Sequence, residues 1–477
     1  MKGYGEYKEI SLPWLNKIPS HWKVQRGKQL FMQINARSAS GTEELLSVSA
    51  AHGVVKRKNA NVTMFQATSY AGYKLCWPDD LVINSLWAWQ QGLGFSKYHG
   101  IISTAYSVFR LRNTEASNPR YYNYFVRGSD YIWELYVRSK GIWKSRYQLS
   151  DDDFLRSPII SPPREEQDQI VRYLDAKVGK IDKLIKIKQQ QIALLKEKKQ
   201  AIINQAVTKG LDPNAPMKDS GIAWIGQIPE GWEVKKLKRF MSKIVQGWSP
   251  QCENRPAENN ELCVLKVGCV NDIHFDETQN KILPEGLRPP RDLFLKKNMI
   301  LVSRANTKNL VGLASFVEKD YKNILLCDKI YSFFVDTNKL NTKFAVYAIR
   351  SSPSRGHIEN STSGASSSMQ NITQDTIREL NIALPNIEEQ NLIANSCDEK
   401  ITNLSVLRDI YAQQIATLTE YRTRLISDVV TGKVDVRGLA VSDTCEEEQK
   451  NVIDGHPWLA QEDEDEYSVD DPEEQME

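Results

Sequence analysis

The residues that could do chemistry are few and scattered. Six histidines (His21, His52, His99, His274, His357, His456) occur singly. None has the H-E-x-x-H or zinc-ligand spacing that aims two imidazoles at one metal. Serine and histidine are both available, yet no G-x-S-x-G elbow presents a nucleophile. No G-x-x-x-x-G-K-[ST] loop and no strand-bound G-x-G-x-x-G is found to cradle phosphates, and no aromatic-flanked N/D-P-P pattern of an amino-methyltransferase occurs. Seven cysteines (Cys76, Cys252, Cys263, Cys269, Cys327, Cys397, Cys445) form no C-x-x-C pair, which disfavours zinc and disulfides and fits a reducing cytoplasm. Asp79-Asp80 with Lys97 is the one fragment reminiscent of a metal nuclease, and acidic pairs of that sort are common in turns. The expectation is a chain with no catalytic and no metal-binding residue.

What remains suits binding. Basic residues of the two globular segments cluster beside aromatics and small polar residues. In the first half these are Lys56-Arg57-Lys58, the run Trp87-Ala88-Trp89-Gln90-Gln91 leading to Lys97, and a stretch 140–147 contributing Lys140, Lys144 and Arg146. The second half offers Trp248, Arg304 and Lys308, and Ser366 within 363–370, the partner of stretch 140–147. Lys and Arg anchor phosphates, while Arg, Asn, Gln and Ser read base edges. Any one of them is as readily a solvated loop side chain; the clusters carry the signal. Formal charge agrees. The overall +2 conceals 15 acidic residues and one basic residue from Asp443 onward, which leaves the first 442 residues at +16. A basic body points to a polyanion partner, and the acidic tail is expected to be disordered and solubilising, or to compete for the basic surface.

The elements that must position these clusters repeat. Trp14-x3-Ile18-Pro19-x2-Trp22-x-Val24-x3-Lys28 recurs as Trp224-x3-Ile228-Pro229-x2-Trp232-x-Val234-x3-Lys238, and Pro162-x2-Glu165-Glu166-Gln167 recurs as Pro385-x2-Glu388-Glu389-Gln390. The four tryptophans sit where each domain begins, which favours packing over base stacking. Between these borders lie short β-type runs such as Leu45–Val48, Asp80–Ile83, Ile101–Phe109, Val264–Gly268, Met299–Ser303 and Lys329–Val335, with helices over Tyr121–Arg127 and Lys343–Arg350. The fold class expected is α+β, with two globular α/β domains in a pseudo-two-fold repeat. Their boundaries are 1–163 and 211–385, with a long helix after each (164–210 and 386–433) and the acidic tail at 434–477.

Both helical segments carry heptad tracks. Leu174, Ile181, Leu195 and Ile202 mark the first, and Leu404, Tyr411, Leu418 and Leu425 the second, with Lys188, Lys199, Arg408 and Arg422 as interruptions. Shifting the first set by 223 lands on Cys397, Leu404, Leu418 and Leu425. About 44 residues give each helix roughly 65 Å, and burying both seams requires an antiparallel coiled coil that spaces the domains. No stretch approaches the ~18 apolar residues of a membrane span, and the start of the chain lacks a signal-peptide core.

On these motifs the chain resembles the specificity subunit of type I restriction-modification enzymes, over residues 10 to 437. The helix endings Ile203-x2-Ala206-Val207-Thr208-Lys209-Gly210 and Ile426-x2-Val429-Val430-Thr431-Gly432-Lys433 add to the likeness. The resemblance implies that each globular domain reads one half of a split, asymmetric double-stranded DNA site, with half-sites roughly 34 Å apart. The helices would set the unread gap and dock two modification (methyltransferase) subunits, which flip out the target adenine; restriction (motor-nuclease) subunits would complete the complex. It further implies no cofactor in this chain, with S-adenosylmethionine, ATP and Mg in the partners, and a cytoplasmic location. Two other readings stay open: a stand-alone nuclease, and a coiled-coil scaffold with protein partners only.

Overall fold

The computed structural model describes residues 2–59, 69–142, 146–258, 261–366 and 369–440. The chain divides into two compact units, and the divisions fall inside the long helices. Met1–Lys188 with the segment from Gln414 onward forms one unit, and Gln189–Gln413 forms the other. Each unit therefore holds a globular domain, half of the helix that leaves it, and half of the other helix.

The two domains share a frame. In the first, an antiparallel four-stranded sheet runs in the order Phe31–Ile34, Tyr106–Leu111, Asp80–Asn84, Leu93–Phe95. In the second, the order is Val245–Gln246, Ile330–Phe333, Ile300–Ser303, Ala314–Phe316. The central strands read as continuous apolar runs because both faces are covered. A two-stranded pairing ties the ends of each domain together, Lys23–Arg26 with Pro158–Ser161 and Glu233–Lys236 with Asn381–Leu384. The second domain adds a three-stranded sheet (Asn280–Ile282, Cys263–Leu265, Ile324–Leu325) with its own apolar cluster.

Two expected strands are shorter than the sequence suggests. Ile101–Phe109 breaks into Gly100–Ile102 and Tyr106–Leu111, because the polar Ser103-Thr104 step makes a turn closed by Tyr106 N–H on Ser103 O. Val264–Gly268 gives only Cys263–Leu265 before a 3-10 turn begins at Val267.

The long helices span Arg164–Lys209 and Ile387–Val430. Their first turns carry Glu165-Glu166 and Glu388-Glu389, where carboxylates suit the positive end of the helix. Gly210 and Gly432 end them at φ +76° and +77°; at Gly432 a Cβ would lie 2.5 Å from Pro19, so no other residue fits without a shift. Within the first unit the helix halves run antiparallel. Gln169 donates to Val436 O, and Asp182 takes a 2.7 Å ion pair from Arg422. Leu174, Ile181 and Leu425 are buried there and Leu418 is half-buried. In the second unit Leu195, Ile202, Leu404 and Tyr411 are all half-buried, and the most deeply buried apolar positions, Ile203, Ala206 and Val207 of one helix and Ile393, Ala394 and Cys397 of the other, lie toward the ends of the helices. The heptad interruptions have partners: Lys199 and Arg408 both reach Asp272 of the second domain, at 2.5 and 3.6 Å.

The glutamine and inner tryptophan bonds of the border motifs repeat. Gln167 accepts from Asn118 N–H at 2.8 Å and donates to Pro162 O and Ala116 O. Gln390 accepts from Asn341 N–H at 2.8 Å and donates to Pro385 O and Lys339 O. Trp22 and Trp232 are buried and donate through Nε1 to Glu166 and Glu389 at 3.0 and 3.1 Å. Trp14 packs on Phe125 and Tyr131 and donates to Glu134. Trp224 departs from the packing expected of it and is 55% exposed. Counting 223 residues on from Phe125, Tyr131 and Glu134 gives Ala348, Ser354 and His357, so the ring wall and acid that hold Trp14 have no counterpart.

Candidate nucleic-acid interface

In the first unit the hairpin Leu46–Ser49 with Gly53–Lys56 runs into a short turn, Arg57–Asn59. Lys56 and Lys58 stand 3.6 and 3.7 Å from the single carboxylate of Glu44. Exposed pairs of this length are weak, so both ammonium groups remain open to a stronger anion. Lys56 also lies 5.3 Å above the Tyr98 ring, which brings the exposed Lys97 to the same group.

A second group forms around Trp89, which packs against Tyr136 and Tyr147 at 5.8 and 5.9 Å. It joins the turn 87–91 to the stretch closed by the Lys140–Gln148 bridge. Lys140 is exposed, 3.2 Å from Asp153, and Arg146 is exposed. Lys144 lies outside the described residues.

Between these groups the loop backbone is held by a residue that none of the sequence clusters includes. Arg127 donates through Nη1 to Gln91 O and Leu93 O, and through Nη2 to Ala50 O and Ala51 O. Burial pulls its guanidinium down to about 10, still charged at neutral pH. The signal was available, since Arg127 and Arg350 close the two expected helices at a separation of 223. Asp80, the acidic residue weighed as a nuclease fragment, is fully buried in a two-bond pair with Arg110 at 2.7 and 2.9 Å.

In the second unit the three-stranded sheet Ala305–Asn306, Met369–Asn371, Ser363–Ser366 gathers several candidates. Arg304 enters it, tied by its backbone to Lys329 O and Ile372 N–H; its Nε is buried without a hydrogen-bond partner among the described residues. Lys308 is exposed in the following loop. Ser366 ends one strand, and its side chain lies outside the described residues. Trp248 is half-buried against the second domain's further apolar cluster, its backbone N–H on Leu326 O. Trp248 and Arg304 thus approach the turn 326–330 by different routes.

Among the described residues no group of three or more His, Cys, Asp or Glu is placed to hold a metal ion, and no helix is long and apolar enough to cross a membrane.

Residues 229–409 match the family model described as Type I restriction modification DNA specificity domain. The chain is 30% identical over 203 residues to the type I restriction enzyme EcoEI specificity subunit of Escherichia coli, covering 42% of this chain and 32% of that protein. It is 25% identical over 283 residues to the MjaVIII specificity subunit of Methanocaldococcus jannaschii, covering 58% and 62%. The matches thus span about a third and somewhat under two thirds of these relatives. A solved chain from work on complex assembly and conformational transition of the type I R-M system shares the fold, with a TM-score of 0.62 at 16% identity over 88% of this chain and 100% of that one. The sequence matches cover part of this chain and part of each relative, and the likeness to the solved chain is one of fold.

Proposed function

We propose that this chain is the DNA-recognition subunit of a type I restriction-modification complex and carries out no catalysis itself. Each globular domain reads one half of an asymmetric bipartite site in double-stranded DNA. The long helices set the unread gap and dock two modification subunits. S-adenosylmethionine, ATP and Mg belong, in this reading, to the modification and restriction subunits.

The observation that carries it is the repeated frame with unlike loops. The Gln167 and Gln390 clamps and the Arg127 and Arg350 ties recur at one spacing. The side chains they present differ: Lys56, Lys97, Lys140 and Arg146 in one domain, Arg304, Asn306 and Gln370 in the other. Equivalent platforms with different read-out groups suit two different half-sites.

The test is a methylome. The chain is expressed with its modification subunit in a methylation-free host, and methylated adenines are mapped. An asymmetric two-part motif that vanishes when this chain is omitted is the expected result. Two soluble proteins that bind each other but leave no motif would favour a protein-only scaffold instead.

A further inference from the structure

Arg26 faces Pro158 in the pairing that closes the first domain, and Lys236 faces Asn381 in the equivalent pairing of the second. Beside the first pairing lies an open groove of about 760 Å³, lined by Arg26, Lys28, Arg138 and Arg156 with the amides of Gln25 and Gln29; no carboxylate lines it. Glu134 holds Arg138 at 2.6 Å. Arg156 makes only an exposed 3.5 Å pair with Asp152, weak by its setting. Arg26 and Lys28 are exposed, and neither forms an ion pair among the described residues. Four cations thus converge on an open space.

The second domain shows what such a place looks like when an oxyanion occupies it. Lys236 and Lys238 correspond to Arg26 and Lys28, and Glu379 stands where the first domain has Arg156. The Glu379 carboxylate takes bonds of 2.5 and 2.6 Å from the two ammonium groups, one on each oxygen. In the first domain that internal anion is replaced by a further cation.

We propose that the groove of Arg26, Lys28 and Arg156 is a binding site for a backbone phosphate of the DNA, present in the first domain and self-neutralised in the second. Planar guanidinium forks match phosphate oxygens in pairs. No aromatic side chain is among the lining residues to hold a base, so the site anchors without reading sequence. This rests on the DNA-binding function proposed above. It makes the two domains unequal, the first holding the duplex through charge that the second lacks at this position.

The test uses the full chain and a fluorescent duplex of arbitrary sequence, with affinity measured across a salt series. For the variant R26Q/K28Q/R156Q, affinity should fall roughly tenfold at low salt and the log–log salt slope by about 1, the value for one phosphate no longer neutralised. K28Q alone should show a smaller shift in the same direction, and K236Q/K238Q should leave the slope unchanged. An unchanged slope in the triple variant, with the wild type binding, overturns this site alone; an equal fall for K236Q/K238Q overturns the asymmetry. Deleting 441–477 gives a further outcome. If that tightens the wild type but not the triple variant, the acidic segment competes with DNA for the groove, which supports the site. A wild type that binds no DNA at any salt removes the function proposed above together with this site.

Discussion

Arg127 and Arg350 stand 223 residues apart and do the same work. Each ends a domain helix, and each guanidinium spends its N–H groups on four backbone carbonyls of turns and strand ends: Ala50, Ala51, Gln91 and Leu93 for one, Val270, Asn271, Asp272 and Ala314 for the other. Burial also pulls the Arg350 guanidinium down to about 10. Segments that differ in sequence are thus fastened by the same side chain, because carbonyls are available whatever the residue.

Removing either fork leaves several carbonyls without their donor. R350M should destabilise the second unit by about 2–4 kcal/mol, the range for losing buried hydrogen bonds to a charged group. K308A, at an exposed loop position, should stay within about 0.5 kcal/mol. Denaturant unfolding followed by tryptophan fluorescence compares the two, and equal effects would contradict a fastening role.

The glutamine clamp makes a parallel case. Q167L and Q390L each remove one accepted and two donated bonds at residues that are almost wholly buried, and each should cost about 2–4 kcal/mol. Effects that differ severalfold would show that the two clamps are equivalent in geometry only.

Glu379 supplies a pH dependence of known sign. Its carboxyl is pulled down to about 2, chiefly by the hydrogen bonds from Lys236 and Lys238, from an ordinary value of 4.5. A lowered carboxylate stabilises the fold above its unfolded value, and that contribution drains away as pH falls from about 4.5 toward 2. In E379Q the loss of stability across this window should be shallower than in the wild type. Identical acid profiles would mean that the pair contributes nothing in solution.

Charge removal at the first group of loops tests non-specific affinity. Replacing Lys56, Arg57 and Lys58 with alanine should weaken binding to all duplexes alike and flatten the salt slope. Unchanged affinity would take that turn out of the interface.

Modularity can be tested by exchange. Replacing 217–385 with the corresponding domain of a type I specificity subunit should change one half of the methylated motif alone, and four residues inserted near Gln190 should change its gap. A motif altered in both halves by the exchange, or a gap unmoved by the insertion, would contradict the proposed division of labour.

The sequence disclosed the frame more readily than the surface. Trp22, Gln167 and their repeats were legible because a buried indole N–H and a buried amide each need fixed partners, which forces identical residues at identical spacing. The long helices were legible from heptads and acidic first turns. Side chains such as Trp248 resisted, since a tryptophan beside basic residues reads alike whether it faces DNA or half-covers an apolar cluster. Trp224 misled for a related reason: its motif repeats, but the wall beside the half-buried Trp14 comes from two distant helices, Pro119–Val126 and Ser129–Arg138, and 223 residues on from its members stand Ala348, Ser354 and His357. The groove at Arg26 was hidden because its members come from three separate stretches of chain.

The division of the units inside the helices bears on synthesis. The apolar core of the first unit includes Leu425, Val429, Val430, Val434 and Val436, side by side with Trp22, Tyr121 and Ile170. A nascent first domain emerges from the ribosome with that flank bare, and the whole of Gln189–Gln413 must be made before the covering segment arrives. At about 5–20 residues per second that wait is on the order of ten seconds or more. The second unit, continuous in sequence, can close first, so the domain made earliest is the one finished last.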